Sequence, residues 1–218
     1  VDIAAQNDLW VHADAAYGGF FRLAPGGKER LPGLERADSI TLDPHKGLFL
    51  PYGTGCLLVR QGQALRRPHQ QSADYLRDLA PGEHSVNFTD LSPELSRDFR
   101  GLRLWLPLEL HGLSAFREAL AEKLELARWA WQELDADPRF EVLDKPQLSI
   151  VAFRLRGQSD PANAELLDRV NRRGRVFLSS TVLDGRVTLR LCVLSFRTHA
   201  DRVRDAVESL RQEAARLA

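Results

Sequence analysis

The stretch Thr41-Leu42-Asp43-Pro44-His45-Lys46-Gly47 sets a lysine directly after a short apolar run and a proline. Residues 38–42 are partly β-branched and apolar, so they predict a sheet strand, and Pro44 disfavours helix at Asp43. Lys46 should therefore stand just past the carboxyl end of a strand, which is the edge where open α/β sheets bind ligands. Partial burial or a neighbouring positive group frees the amine of a lysine, and a free amine can hold an aldehyde as a Schiff base. Lys46 is therefore the candidate nucleophile.

A second stretch, Leu9-Trp10-Val11-His12-Ala13-Asp14-Ala15-Ala16-Tyr17-Gly18-Gly19, predicts an apolar strand that ends in a carboxylate and small residues. A buried carboxylate needs a cationic partner. The pyridinium nitrogen of pyridoxal phosphate is such a partner, and an aspartate beside it keeps the ring protonated. The small residues leave room for a flat ring against the backbone. Asp14 is therefore the candidate partner of a ring nitrogen.

These segments resemble the group II pyridoxal-phosphate-dependent decarboxylases, which include the aromatic-amino-acid, glutamate and histidine decarboxylases. The motifs that carry the resemblance cover nearly the whole chain: residues 12–19, 37–39 leading to 43–46, 98–105, 153–157 and 189–192. The resemblance implies an α/β protein of fold type I. It would comprise part of the large-domain parallel sheet and a small α+β C-terminal domain.

The resemblance also implies the roles of individual residues. Lys46 is the Schiff-base lysine, Asp14 the partner of the pyridine nitrogen, Ala16 a residue against the ring, and His45 a cofactor neighbour. Tyr75 is similar in placement to the mobile-loop tyrosine that donates a proton in these decarboxylases, with Lys46 or His45 behind it. The implied reaction is decarboxylation of an L-amino acid, aromatic favoured, to the amine and carbon dioxide. The implied enzyme is a cytoplasmic homodimer.

The chain departs from the family in one large respect. A complete member has a long N-terminal half with further strands, the phosphate-binding residues and a ring stacked over the cofactor, and none of these motifs is found here. We expect the chain to be the C-terminal portion of a longer protein, and on its own it can be inactive. Two alternatives stay open. One is an aminotransferase or another lyase of the same fold, with Arg190 or Arg197 holding a substrate carboxylate, and the other is a truncated, non-catalytic module.

Composition excludes several classes of partner. The 218 residues contain 30 basic and 30 acidic side chains, and this balance argues against nucleic acid or an anionic membrane as the main partner. No run approaches the ~18 apolar residues of a membrane helix. Cys56 and Cys192 lie in apolar, strand-like runs. They predict buried free thiols in a reducing cytoplasm, and neither a disulfide nor a metal site.

Residues 1–108 are interpreted as the C-terminal part of the large cofactor-binding domain. Three strands of a parallel sheet are predicted there, at residues 9–14, 39–43 and 54–60. Ser92-Pro93-Glu94 predicts the start of a helix. On that helix Arg97, Arg100 and Arg103 would share one face, either as a stripe of surface ion pairs or as a contact to a phosphate or a partner subunit.

Residues 109–218 are interpreted as the small α+β domain. An amphipathic helix runs from Phe116 to Leu134 and is stopped at Asp137-Pro138. Asp184-Gly185 predicts a hairpin, and Thr198-His199-Ala200-Asp201 a capping box. The remaining predicted elements are strands at 149–153, 175–183 and 186–194, a helix at 162–172, and a last helix through 203–217.

Overall fold

The computed structural model describes residues 1–69 and 86–217. The chain divides into two compact units, one made of Val1–Phe20 and Leu31–Leu110 and the other of Phe21–Arg30 and His111–Ala218. The predicted domains, 1–108 and 109–218, remain a proposal. No helix in the described part of the chain is long and apolar enough to cross a membrane.

The helices and strands alternate along most of the chain. The helices are α1 Asp2–Gln6, α2 Gly27–Arg30, α3 Pro44–Gly47, α4 Gln63–His69, α5 Leu102–Asp135, α6 Asp160–Arg172 and α7 Ala200–Ala215. The strands are β1 His12–Asp14, β2 Ser39–Leu42, β3 Cys56–Val59, β4 Phe140–Val142, β5 Ile150–Leu155, β6 Ser179–Leu183 and β7 Arg186–Cys192. Short 3-10 turns stand at Gly19–Leu23, Leu34–Arg36 and Phe88–Leu91.

The sheet of the first unit has the order β1-β2-β3. β1 and β2 are parallel, as predicted, with Ala13 paired to Ile40. The prediction of a fully parallel sheet is wrong for β3, which is antiparallel to β2 with Leu42 paired to Cys56. A parallel return needs a long crossover, usually a helix. The connection from Asp43 to Gly55 holds only the single turn α3, so the chain reverses directly.

A glycine brings the segment after β1 close to α3. A Cβ atom built on Gly47 would lie 2.8 Å from the Cβ of Phe20, closer than two carbons normally approach. Gly47 is buried, and Phe20 follows directly on the predicted run of small residues. The missing side chain therefore allows the turn that follows Asp14 to pack against the helix that carries Lys46.

The helix predicted to start at Ser92 does not form. Residues 92–101 are irregular, and α5 begins at Leu102. Arg97 and Arg100 therefore precede the helix and do not share a face with Arg103. Arg97 donates to the carbonyl of Phe88, and Arg100 pairs with Glu94 at 3.1 Å. These guanidinium contacts hold the segment in a loop, so the proline after Ser92 marks a loop position here.

The second unit has a four-stranded antiparallel sheet in the order β4-β5-β7-β6. One apolar core joins this sheet to α6, α7 and the second half of α5, which follows a break at Gly112 with φ 72°. The amphipathic prediction is confirmed there: Phe116, Leu120, Leu124, Ala127 and Leu134 are buried. The predicted hairpin also forms, since Leu183 pairs with Arg186 around two residues of positive φ, Asp184 and Gly185.

Three predictions about the second unit need correction. β6 begins at Ser179, later than residue 175. The N-cap of α7 is His199, and the described residues show no side-chain capping bond there. Instead the Thr198 carbonyl accepts from Lys123 at 2.6 Å, so the chain is held from the side of α5. Cys192 is exposed rather than buried, because it alternates with the core residues Leu189 and Leu191 and so faces the other side of β7.

The other cysteine fits its prediction more closely. Cys56 is half-buried at the start of β3, and it forms no disulfide with Cys192 in the described part of the chain. Burial raises the pKa of the Cys56 thiol above its ordinary value. Cys56 is therefore a weakly reactive position.

Candidate active site

The two candidate motifs meet at one edge of the first sheet. β1 and β2 run parallel, so their carboxyl ends lie side by side. The segments that leave them are joined by backbone hydrogen bonds, from Ala15 N to the Thr41 carbonyl at 3.0 Å and from Asp43 N to the Ala16 carbonyl at 3.2 Å. Asp14 and Lys46 therefore both lie at the carboxyl edge of the sheet, where the sequence predicts a ligand site.

Lys46 lies in the single turn α3, directly beyond β2. Pro44 is at the start of this turn, and Asp43 before it is extended with φ −111° and ψ 97°, as the proline predicts. The Lys46 side chain is 39% exposed, and its Nζ lies 2.8 Å from Asp43 Oδ2. Lys46 is therefore partly buried, and the charged group beside it is a carboxylate. A carboxylate at this distance forms an ion pair with the lysine side chain.

His45 is held by the turn that follows α3. Its Nδ1 lies 2.9 Å from the carbonyl oxygen of Thr54. Because a carbonyl only accepts, Nδ1 carries the proton and donates it. The other nitrogen, Nε2, lies 3.7 Å from Asp43 Oδ2, and the ring lies 4.8 Å from that of Tyr52. His45 is thus fixed in tautomer and orientation beside the carboxylate that pairs with Lys46.

The turn at residues 51–55 is a contributor that the sequence did not reveal. Thr54 is buried and donates its hydroxyl to the Pro51 carbonyl at 3.0 Å, which shapes the turn that receives His45. Tyr52 is 84% exposed, so its ring presents an open aromatic surface beside His45. A tyrosine within a glycine-rich turn soon after the lysine was the available signal.

Asp14 closes β1 at the same edge. It pairs in register with Thr41, and its Oδ1 accepts from the backbone N of Ala16 at 3.1 Å. The prediction of a buried carboxylate is wrong for this chain, because Asp14 is exposed. Ala16 is half-buried and directly follows it. The carboxylate is therefore oriented by the turn after the strand and open to a ligand.

A group of side chains beneath Asp14 also escaped sequence reasoning. His12 Nδ1 lies 2.8 Å from Ser39 Oγ, and His12 Nε2 lies 3.1 Å from Thr41 Oγ1. The indole of Trp10 donates to the same Ser39 oxygen at 2.8 Å. Alternate residues of a strand share one face, so these groups lie on the face of Asp14. That alternation in both motifs was the signal available.

The side chains at this edge suit pyridoxal phosphate. An aldehyde needs an amine, which Lys46 supplies, and a cationic ring nitrogen needs a carboxylate, which Asp14 supplies. Ala15 and Ala16 are small enough for a flat ring to approach. The described ranges contain no group of three or more His, Cys, Asp or Glu side chains that could hold a metal ion. Tyr75, the predicted proton donor, lies outside the described residues.

A lysine and an aspartate thus lie at the carboxyl edge of two parallel strands. The sequence matches the family described as the pyridoxal-dependent decarboxylase conserved domain over residues 1–156, and the chain belongs to that family. It is 37% identical over 205 residues to the aromatic-L-amino-acid decarboxylase of Bacillus atrophaeus, covering 90% of this chain and 43% of that protein.

Solved structures share the fold. The crystal structure of Oryza sativa TDC with PLP and tryptamine has a TM-score of 0.90 at 30% identity, covering 99% of this chain and 46% of that one. Catharanthus roseus tryptophan decarboxylase in complex with L-tryptophan has a TM-score of 0.87, also at 30% identity, covering 99% of this chain and 45% of that one. The chain therefore spans less than half the length of these relatives.

These likenesses bear on the predictions made from the sequence. The family, the fold type I architecture and pyridoxal phosphate as the family's cofactor are confirmed. The aminotransferase alternative is not favoured, because the matching family and its relatives are decarboxylases. The roles given to Lys46, Asp14, His45, Ala16 and Tyr75 remain predictions.

Proposed function

We propose that this chain carries the lysine half of a pyridoxal-phosphate-dependent decarboxylase that converts an L-amino acid to its amine and carbon dioxide. The observation that carries the proposal is the meeting of Lys46 and Asp14 at the carboxyl edge of β1 and β2. When bound, pyridoxal phosphate supplies an electron sink for the pair left at the α-carbon as carbon dioxide departs. Lys46 provides the amine to which the cofactor's aldehyde attaches.

Asp14 acts on the ring nitrogen. Its carboxylate is oriented by the Ala16 N–H and stabilises positive charge placed beside it. The nitrogen must stay protonated for the ring to withdraw electrons, so the carboxylate acts throughout the reaction. Ala16 keeps the approach to the ring open because its side chain is a single methyl group.

Lys46 and His45 share Asp43 as a neighbour. Asp43 holds the Lys46 ammonium at 2.8 Å and orients it towards the sheet edge. His45, protonated at Nδ1 by its bond to Thr54, presents Nε2 towards the same carboxylate at 3.7 Å. These groups can hold and return a proton near the lysine. Tyr75 is our proposed donor of the proton that replaces carbon dioxide.

An aromatic amino acid is the proposed substrate. The support is the likeness to an aromatic-L-amino-acid decarboxylase and to tryptophan decarboxylases. A panel of tryptophan, tyrosine, phenylalanine, histidine and glutamate tests it, with carbon dioxide release as the readout. A preference for glutamate or histidine would contradict the proposed aromatic substrate but would still be consistent with the proposed decarboxylation.

We also propose a cytoplasmic homodimer. A row of apolar side chains on the first part of α5 supports a subunit contact: Leu102, Trp105, Leu106 and Leu110 are all more than 40% exposed. Their spacing of three and four residues sets them on one face, which is the kind of surface that subunit interfaces bury. Cys56 and Cys192 are not joined by a disulfide in the described residues, which supports a reducing compartment.

The lysine assignment is tested by trapping the cofactor on the 218-residue chain. The chain is mixed with pyridoxal phosphate, its absorbance is recorded, and borohydride reduction is followed by peptide mapping. We expect one adduct, on Lys46. Lys46→Ala should remove that adduct and the visible band, whereas Lys28→Ala, at an exposed lysine, should keep both.

The outcomes of this experiment distinguish a catalytic role for Lys46 from a non-catalytic module. Labelling scattered over exposed lysines, in a chain that is folded by circular dichroism, would favour the non-catalytic module. The same result for a longer polypeptide that includes this chain would remove Lys46 from the mechanism.

A further inference from the structure

The face of β1 and β2 that carries Asp14 also carries a connected row of hydrogen-bonding side chains. Trp10 donates to Ser39, Ser39 contacts His12, and His12 contacts Thr41, at distances of 2.8 to 3.1 Å. We refer to these four residues as the hydroxyl–imidazole chain. Its last member, Thr41, is the in-register neighbour of Asp14.

The direction of this chain follows from which groups can donate. An indole N–H only donates, so Ser39 Oγ accepts from Trp10. Ser39 is only 6% exposed, and in the described ranges its hydroxyl has two partners, Trp10 and His12. A buried hydroxyl proton requires an acceptor. His12 Nδ1 is therefore the acceptor, and the imidazole carries its own proton on Nε2.

The same logic continues to Thr41. His12 Nε2–H donates to Thr41 Oγ1 at 3.1 Å, so Thr41 accepts from the imidazole and keeps its own proton to give. Neighbouring strands lie about 4.8 Å apart, and paired residues of parallel strands face the same side. The carboxylate of Asp14 accepts one bond from Ala16 N and has further lone pairs.

We propose that Trp10, Ser39, His12 and Thr41 form a one-way hydrogen-bond chain that fixes His12 as its Nε2–H tautomer and leaves Thr41 with a hydroxyl proton to donate on the face that carries Asp14. His12 and Thr41 are thus positioning residues for that carboxylate. The inference rests on the proposed function only in the role given to Asp14. Bonds that run in one direction polarise one another, so the row acts as a unit.

The tautomer is measured on the cofactor-free chain, labelled with 15N-histidine, by NMR correlation of ring nitrogens with ring protons. The His12 signals are assigned by their loss in His12→Gln. We expect the proton on Nε2. A proton on Nδ1 in the wild-type chain would overturn the proposed direction.

The role of Trp10 is tested with Trp10→Phe, which removes the indole donor and frees the Ser39 hydroxyl to turn. The Nε2–H to Nδ1–H ratio of His12 should fall by about tenfold, the scale of one hydrogen bond. Trp131→Phe is the matched control, since that indole donates to the Leu143 carbonyl in the other unit. An unchanged ratio in Trp10→Phe would show that the indole does not set the direction.

The last link is tested at Thr41. With 13C-labelled aspartate, the carboxyl signal of Asp14 at neutral pH should move in Thr41→Val and return to its wild-type position in Thr41→Ser. A signal that is unchanged in Thr41→Val would overturn the contact to Asp14. None of these readouts requires cofactor. A chain that fails to bind pyridoxal phosphate would therefore count against the proposed function and leave this test intact.

Discussion

Replacing Gly47 by alanine should displace the lysine helix. The new Cβ would lie 2.8, 3.1 and 3.3 Å from the Cβ, Cδ2 and Cγ of Phe20. Carbon atoms pack best at about 3.5–4.0 Å, so the closest approach falls short by roughly 0.7 Å. The nearest atom is the Cβ of Phe20, which rotation about χ1 does not move. The backbone of α3 or of Phe20 must therefore shift.

The size of the effect follows from two opposing terms. Overpacking of this kind costs about 1–3 kcal/mol, and alanine regains about 0.4–1 kcal/mol by restricting the unfolded chain. A net loss of about 1–2 kcal/mol lowers the melting temperature by roughly 2–8 °C at this chain length. Because Lys46 directly precedes Gly47, trapping of pyridoxal phosphate on Lys46 should slow as well.

Thermal unfolding by circular dichroism and borohydride trapping measure the two effects. Gly62→Ala is the matched control, because a Cβ built there meets nothing within 4 Å. In a Phe20→Gly background the same Gly47→Ala change should cost less, since the Cβ of Phe20 that clashes is absent. If Gly47→Ala unfolds with the control and traps cofactor at the wild-type rate, the close approach of Phe20 to α3 does not constrain the lysine.

Three further predictions concern other parts of the chain. Asp14→Asn is tested in a catalytically active polypeptide that contains this chain. The variant should still bind pyridoxal phosphate, but its kcat should fall about 100-fold, the scale of losing one electrostatic partner in an active site. An unchanged kcat would show that the Asp14 carboxylate has only a structural role. The Arg139 guanidinium, bonded to Asp137, lowers the pKa of that carboxyl in the folded chain. The ion pair therefore stabilises the folded chain fully above the pKa that Asp137 has in the unfolded chain, and this stabilisation is lost as pH falls through the pKa of Asp137 in the folded chain. Asp137→Asn should therefore cost about 1–3 kcal/mol at pH 7 in urea unfolding, and the gap to wild type should begin to narrow only below about pH 4, whereas Asp144→Asn should show neither effect. Leu110→Glu should shift the sedimentation of a dimer towards the monomer, and an unchanged profile would place the subunit contact elsewhere.

Local rules predicted the position of the lysine well. Pro44 restricts Asp43 to an extended backbone, and the structure shows that conformation followed by one helical turn. The heptad-like spacing in the second half of α5 and the positive φ values at Asp184 and Gly185 were likewise readable from residue types. Each of these features depends on atoms within a few residues of one another.

Features that depend on distant parts of the chain were not readable. The direction of β3 is set by the connection after α3 and by pairing to β2. Ser92 and Pro93 have the composition of a helix start, but guanidinium contacts from Arg97 and Arg100 hold that segment as a loop. The pairing of Lys46 with Asp43 within one turn was visible as a spacing of three. The contact itself, with Nζ 2.8 Å from Asp43 Oδ2, could be established only from the structure.

The exposure of the site decides how strongly its groups can act. Lys46 is 39% exposed, and Asp14 is also exposed to solvent. Water screens such charges, and charged groups act far more strongly on a ligand once water is excluded. Lys46 is ion-paired with Asp43, and a lysine amine has to lose its proton before it can bind an aldehyde. We therefore infer that the edge of β1 and β2 reaches full catalytic strength only when more polypeptide covers it. The added polypeptide must leave the side chains of Asp14 and Lys46 accessible from the same pocket. It should raise the rate of cofactor trapping on Lys46 relative to the 218-residue chain.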